Sequence, residues 1–350
     1  MAAHKVDEID RRILLALQSN CRTTNAEIAK ITGLSPSATL RRVRELEQSG
    51  AIIGYTAIID PMVLGLGVAA FVHVTLDKDG ETSDEAFRNA ALNRSEIAGC
   101  YACAGDYDYY LKVVVPDHDT YMRFVVELRR MIGVAAVSCG IALKPQPAIF
   151  AFYRLSYSSS QAPRLITEQP PMPDTWAPRL SNLDAFDRKI IFELQMNSRI
   201  GLRDLAKRVH LSPPAILRRL RALESRGLVC GYTALVEPSA IGLGLLALVS
   251  VTLEKGSDSE GAFEAAIAER PEVAACFAVA GNVDYEMRVV TPDVETYARF
   301  IKEFLRRICG VASVQSSICI SPPPHLFAHY RAINAIEKGS PAPQRRRSFS

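Results

Sequence analysis

Residues 34–50 read Leu34-Ser35-Pro36-Ser37-Ala38-Thr39-Leu40-Arg41-Arg42-Val43-Arg44-Glu45-Leu46-Glu47-Gln48-Ser49-Gly50, and residues 211–227 read Leu211-Ser212-Pro213-Pro214-Ala215-Ile216-Leu217-Arg218-Arg219-Leu220-Arg221-Ala222-Leu223-Glu224-Ser225-Arg226-Gly227. Each stretch opens with a Ser that suits a helix N-cap, and then a Pro at the first helical position, where a missing N–H costs nothing and the fixed φ is already helical. Each closes on a Gly suited to a helix C-terminus. Between them Leu40, Val43 and Leu46 recur at i, i+3 and i+6 as a core stripe, and Ser37, Arg41, Arg44 and Gln48 fall on another face. The spacing predicts a capped, basic helix, present twice.

Upstream, Asp10–Asn20 places Ile13, Leu14 and Leu17 on one stripe, and Asn25–Thr32 forms a short second helix with Ile28, Ala29 and Ile31 before a turn at Gly33. Helix, helix, short turn and basic helix is the helix-turn-helix order, whose last helix lies in the major groove with its N-terminal residues toward base edges. Ser35, Ser37, Thr39, Arg41, Arg42 and Arg44 are the expected DNA-contacting residues, with Ser212, Arg218, Arg219 and Arg221 in the second copy. Guanidinium forks bind guanine edges bidentately and pair with phosphates. After the helix, Ile52–Ile59 is β-rich, interrupted by Gly54-Tyr55, and matches the size of a wing.

Outward from these helices the chain repeats. Asp10–Asp60 aligns without gaps on Asp187–Glu237 with 24 of 51 positions identical. The match continues through Leu64-Gly65-Leu66-Gly67 on Ile241-Gly242-Leu243-Gly244, Gly105 and Asp108 on Gly281 and Asp284, and Phe150–Arg154 on Phe327–Arg331. A one-residue gap near Lys78–Ser83 is compensated near Val126–Leu128. A repeat this long makes each copy a complete unit with its own core, not a turn of a solenoid. The copies are joined by a Ser- and Pro-rich stretch, 156–183, that suits an extended linker, and the chain closes on a basic tail, 334–350, with Arg345-Arg346-Arg347.

The 350 residues, 48% hydrophobic and 23% charged, describe a folded soluble protein. With 41 basic against 38 acidic side chains the chain is no polycation, so contact with nucleic acid must come from local patches. Residues 184–237 hold ten basic and six acidic side chains, residues 1–60 eight and seven, so the second head should carry more of the electrostatic affinity. The longest apolar stretches run about a dozen residues and are broken by Gly, short of a bilayer span, and the N-terminus lacks the apolar core of a secretory signal, so a cytoplasmic location with no membrane partner is expected. The eight cysteines then read as reduced thiols, with Cys100-x-x-Cys103 as core-filling side chains.

Taken together, Asp10-x-x-Ile13-Leu14, Leu34-Ser35-Pro36, Leu40-Arg41-Arg42-Val43-x-x-Leu46-Glu47-x-x-Gly50, Gly54-Tyr55 and the later Gly105-x-x-Asp108 resemble the Lrp/AsnC, or feast/famine, family of transcription regulators, in a duplicated, double-length form. The resemblance implies an α+β fold: two copies of a winged helix-turn-helix domain (1–60 and 184–237), each followed by a βαββαβ ferredoxin-like RAM/AsnC-type effector and oligomerisation domain (64–155 and 241–333). The residues agree. Gly67–Leu76, Ile97–Ala104, Tyr107–Val115 and Ala135–Leu143 are β-rich; Asp84–Asn93 and Asp117–Met131 are amphipathic, and the second copy repeats the pattern.

In the family, small effectors, often amino acids, bind near the Gly-x-x-Asp turn. The resemblance therefore implies effector contacts from Gly105, Asp106 and Asp108, and from Gly281, Asn282 and Asp284. Gly exposes backbone N–H groups that can hold a carboxylate, and Asp can hold an ammonium; the same residues also suit a tight turn that needs no ligand. Asn282, Val283 and Glu286 replace Asp106, Tyr107 and Tyr110, so the two turns should not be equivalent. The DNA target is expected to be a double-stranded imperfect palindrome with unlike halves, because Ser37, Thr39, Glu45 and Gln48 become Pro214, Ile216, Ala222 and Ser225. Homo-oligomers are expected from the family. Siroheme decarboxylases look alike in fold, but the Arg and His they carry in the stretch matching Tyr101–Tyr110 are missing here. No catalytic motif, cofactor or metal site stands out, and His325 and His329 follow three prolines without counterparts in the first copy. A nucleoid-like architectural protein is the other alternative.

Overall fold

A computed structural model describes residues 6–60, 65–77, 81–92, 94–131, 133–143, 155–156, 164–165, 183–254, 259–268 and 270–320. Most of the linker, the Phe150–Arg154 and Phe327–Arg331 motifs, His325, His329 and the basic tail lie outside these residues. The first copy runs α1 (Glu8–Ser19), α2 (Asn25–Thr32), α3 (Pro36–Gln48), β1 (Ile52–Ile59), β2 (Val68–Leu76), α4 (Glu81–Leu92), β3 (Ile97–Ala104), β4 (Tyr109–Val115), α5 (His118–Arg129) and β5 (Val134–Ala142). Two short strands, β6 (Leu155–Ser156) and β7 (Arg164–Leu165), pair antiparallel within the linker region. The second copy runs α6 (Ala185–Met196), α7 (Leu202–Val209), α8 (Pro213–Ser225), β8 (Val229–Val236), β9 (Leu245–Leu253), α9 (Ser259–Ala268), β10 (Val273–Ala280), β11 (Tyr285–Thr291), α10 (Val294–Arg299) and β12 (Val311–Cys319).

Local sequence explains the helix ends. Asp7 and Asp10 form a reciprocal capping box at α1, and Thr24 and Glu27 do so at α2. Gly33 ends α2 in the left-handed region at φ 72°; at the matching place His210 ends α7 at φ 60° without the glycine that this conformation favours. The extra residue that restores the repeat register in the second copy is absorbed after α10, where Phe300–Phe304 make a π turn before Leu305–Arg307 tighten to 3-10. An inserted residue inside a helix is accommodated in this way when the flanking turns are already packed.

The expected wing strand finds its partner in the other copy. Ile52–Ile59 is one continuous strand, and it pairs antiparallel with β8 of the other copy, with Thr56 opposite Thr233. These are matching positions of the repeat, so a pseudo-two-fold axis passes through the ribbon. Cys21 and Ser198, also matching positions, meet beside it with Sγ and Oγ 3.1 Å apart. Each helical head is completed by its neighbour. Ala57 and Ile59 pack into the core of α6–α8, and Ala234 and Val236 pack into that of α1–α3.

In each copy the remaining strands form the ferredoxin-like order, β3-β4-β2-β5 and β10-β11-β9-β12, with helices covering one face. The two sheets then close edge to edge into a single eight-stranded barrel, through Val279 and Ala280 of β10 opposite Ala142 and Ile141 of β5, and through Ile318 and Cys319 of β12 opposite Ala104 and Cys103 of β3. Phe71, Tyr101, Tyr110, Leu248 and Phe277 fill the space between the sheets. No helix among the described residues is long and apolar enough to cross a membrane.

Candidate DNA-reading heads and effector turns

On α3 the buried stripe is Thr39, Val43 and Leu46, and on α8 it is Ile216, Leu220 and Leu223. Thr39 and the matching Ile216 are fully buried, which removes both from the groove-facing set. The reason is angular: positions i, i+4 and i+7 stay within a narrow sector of a 3.6-residue helix, whereas i, i+3 and i+6 drift steadily around it. Thr39 tolerates burial because its Oγ1 donates to the Ser35 carbonyl at 3.1 Å. Leu40, expected in the core, is 37% exposed, and Leu217 is 39% exposed. Ile31 of α2 is likewise exposed, and Thr32 takes its place in the core. Ser35 caps α3 as expected, its Oγ accepting from the Ala38 N–H at 3.2 Å; Ser212 holds the N-cap position of α8 without a side-chain bond.

The arginines divide. Arg41, Arg44, Arg218 and Arg221 are exposed on the faces opposite the core stripes. Arg42 instead turns toward α1, where its Nη1 donates to Asp7 at 2.7 Å and to the fully buried Asp10 at 2.8 Å. Arg219 does the same with Asp184 and Asp187, both at 2.7 Å. Arg42 and Arg219, expected at the groove, are thus engaged as ties between first and third helices. Burial alone would raise the Asp7 carboxyl, but the Asp10 backbone N–H and the Arg42 guanidinium outweigh it and hold it below the usual range; Asp184 is lowered by the equivalent partners. The sequence held this signal: an Asp thirty-two residues before an Arg, repeated in both copies. Ser37 remains exposed and meets the Ser35 hydroxyl at 3.0 Å.

The two Gly-x-x-Asp turns sit at the seams where the two sheets join. A Cβ on Gly105 would lie 2.5 Å from Ser317 Oγ, and one on Gly281 would lie 2.7 Å from the Cys139 carbonyl oxygen, so both glycines are there because the other copy's last strand packs on them. Asp108 Oδ2 accepts from the Leu76 N–H and Asp284 Oδ2 from the Leu253 N–H, each at 2.7 Å. All four residues, exposed at the surface, thus also shape and dock the hairpin. Asp106 is exposed on its turn, and Asn282 donates to Ser138 Oγ across the seam at 3.3 Å.

Sequence reading missed a polar group inside the barrel. His73 of β2 meets the buried Glu286 of β11 at 3.2 Å, Ser250 donates to the same Glu286 oxygen at 3.0 Å, and the Tyr107 ring stacks on His73 at 4.3 Å. The repeat alignment that paired Tyr110 with Glu286 carried the hint, since a barrel-facing aromatic exchanged for a carboxylate needs a partner. Among the described residues no group of three or more His, Cys, Asp or Glu side chains is placed to hold a metal ion.

A family model described as Lrp/AsnC ligand binding domain matches residues 69–146 and 246–325. One described as winged helix-turn-helix DNA-binding matches residues 6–53, and one described as AsnC-type helix-turn-helix domain matches residues 183–224. The leucine-responsive regulatory protein of Klebsiella pneumoniae is 42% identical over 130 residues, which cover 37% of this chain and 79% of that protein. Its counterpart from Escherichia coli (strain K12) matches to the same extent. Among solved structures, the siroheme decarboxylase NirDL in complex with an iron-uroporphyrin III analogue aligns over 95% of this chain and 98% of its own, at a TM-score of 0.59 and 15% identity, a likeness of fold.

Proposed function

The chain belongs to the Lrp/AsnC family of DNA-binding transcription regulators, and from that premise we propose that a single chain acts as a pseudo-dimer, reading an imperfect palindrome with two unlike heads. The carrying observation is the cross-copy ribbon: β1 and β8 bind the two heads to one pseudo-two-fold axis, and each presents an exposed pair, Arg41 with Arg44 or Arg218 with Arg221. Guanidinium groups in that position suit phosphates and guanine edges. Linking both readers in one chain keeps the second at high effective concentration once the first is bound. At fixed salt, a duplex from the region upstream of the protein's own gene should bind at least about a hundredfold more tightly than random duplex. Equal affinities would instead fit an architectural protein, and a selected consensus with identical halves would remove the unlike-heads reading.

The effector is read as an amino acid, by analogy with the relatives named leucine-responsive, with the exposed Asp106 as a charged contact on the first turn. Asn282 stands at the matching place and lacks the charge, so the two turns respond unequally. Calorimetry with a panel of amino acids should give heat for at least one, and Asp106→Asn should weaken it more than Asn282→Ala does. Silence across the panel, with DNA affinity unchanged by every compound, would remove the amino-acid reading and leave DNA binding untouched.

A further inference from the structure

Among the described residues, Leu40 and Leu217 on the reading helices each leave more than a third of their surface open. Leu40 and Leu217 occupy matching positions, 37% and 39% exposed, each one residue before an exposed Arg and four before another. Around them the copies have diverged: Ser37 becomes Pro214, Glu45 becomes Ala222, Gln48 becomes Ser225 and Ser49 becomes Arg226. The leucine stays, although the core stripes run through Thr39 and Ile216 and do not use it. A single exposed leucine is ordinary. The same leucine twice, in the N-terminal half of a basic helix and flanked by the side chains that face phosphate, marks an apolar spot on a surface otherwise suited to DNA.

We infer that Leu40 and Leu217 are specificity residues, each packing on the C5-methyl group of a thymine in the major groove. The thymine methyl is the apolar feature that groove offers, and the N-terminal part of a recognition helix is the part that reaches base edges. The flanking arginines supply the charge complementarity that brings this face to DNA in preference to a protein surface. The two half-sites then share a thymine at one position and differ where Ser37, Gln48 and their counterparts reach. This inference rests on the DNA-reading function proposed above.

The test removes the methyl group from the DNA without touching the protein. A duplex selected from a random pool by the full-length chain is remade with deoxyuridine in place of one thymine at a time, which keeps base pairing and deletes only the methyl. One position in each half-site should lose affinity by about fourfold, the worth of one buried methyl group. Leu40→Ala should abolish that sensitivity in one half-site and Leu217→Ala in the other, each variant keeping the thermal midpoint of the parent. If no deoxyuridine substitution matters, or the sensitivity survives both leucine variants, the inference is overturned with DNA reading intact. If Leu40→Ala changes the sedimentation behaviour of the free protein and not its DNA affinity, the leucine belongs to a protein interface and the inference fails. A pool from which nothing is enriched removes the DNA-reading function itself.

Discussion

Replacing Arg42 with Ala leaves the Asp10 carboxylate buried on α1 without the guanidinium that neutralises it. The expected cost is about 3 kcal/mol, the usual penalty for breaking a buried charge pair from one side, read as a fall in urea midpoint. Arg41→Ala should behave in the opposite way: its side chain is 72% exposed, with one long contact to Glu45 at 3.9 Å. Stability should stay within about 0.5 kcal/mol, while the salt dependence of DNA binding loses about one unit of slope. Asp7 and Asp184, both held below the usual carboxylate range, give the heads a pH dependence with a definite sign. A depressed carboxyl stabilises the fold above its unfolded value near about 4, and that contribution is lost as pH falls through the lower folded value. Thermal melts should show each head loosening below about pH 4, and Arg42→Ala should flatten the effect in the first head. At His210, φ 60° places a side chain where Gly33 serves the other copy, so His210→Gly should raise stability by about 1 kcal/mol, measured by the same melts.

At the scale of the element, caps and periodicity made the helices legible: Ser35-Pro36 and the Gly ends are local chemistry that fixes where a helix starts and stops, whereas the Asp7 and Thr24 boxes show only in the structure. The strands of the ferredoxin-like units were legible for the same reason, as alternating or apolar runs between turns. The partner of a strand was not. Ile52–Ile59 has the composition of a wing, and nothing in it states that its hydrogen bonds go to Val229–Val236 and not to a neighbour in its own domain. Thr39 misled for a similar reason, because a hydroxyl that returns a bond to the preceding turn is apolar in effect though polar by type. The Gly-x-x-Asp stretches were legible as turns, but the docking strand that packs on their glycines lies in the other copy. Gly281→Ala tests that explanation: with the Cys139 carbonyl 2.7 Å from the new Cβ, β5 must shift. A loss of about 2 kcal/mol is expected in urea unfolding, typical of overpacking at a close backbone contact, and an unchanged midpoint would show that the seam has slack.

For the whole molecule, the ribbon and the two barrel seams are intramolecular, so the pairing of the two copies is present at any concentration. Stability of the paired heads should be unchanged by about a hundredfold dilution, whereas an associating dimer would melt earlier when dilute; fluorescence-detected melts at the two concentrations decide between them. The barrel interior adds a further constraint. Glu286 is buried against His73 from the other copy, and these two positions are not equivalent in the repeat. Were the second half to pair with another second half, Ser250 would stand where His73 is, and two buried carboxylates would face each other with no histidine between them. Were the first half to pair with its own kind, Tyr110 would replace the acid. The polar group inside the barrel is therefore a mark of difference between the halves: the buried acid of the second copy meets a histidine that only the first copy carries, so the two halves have ceased to be interchangeable.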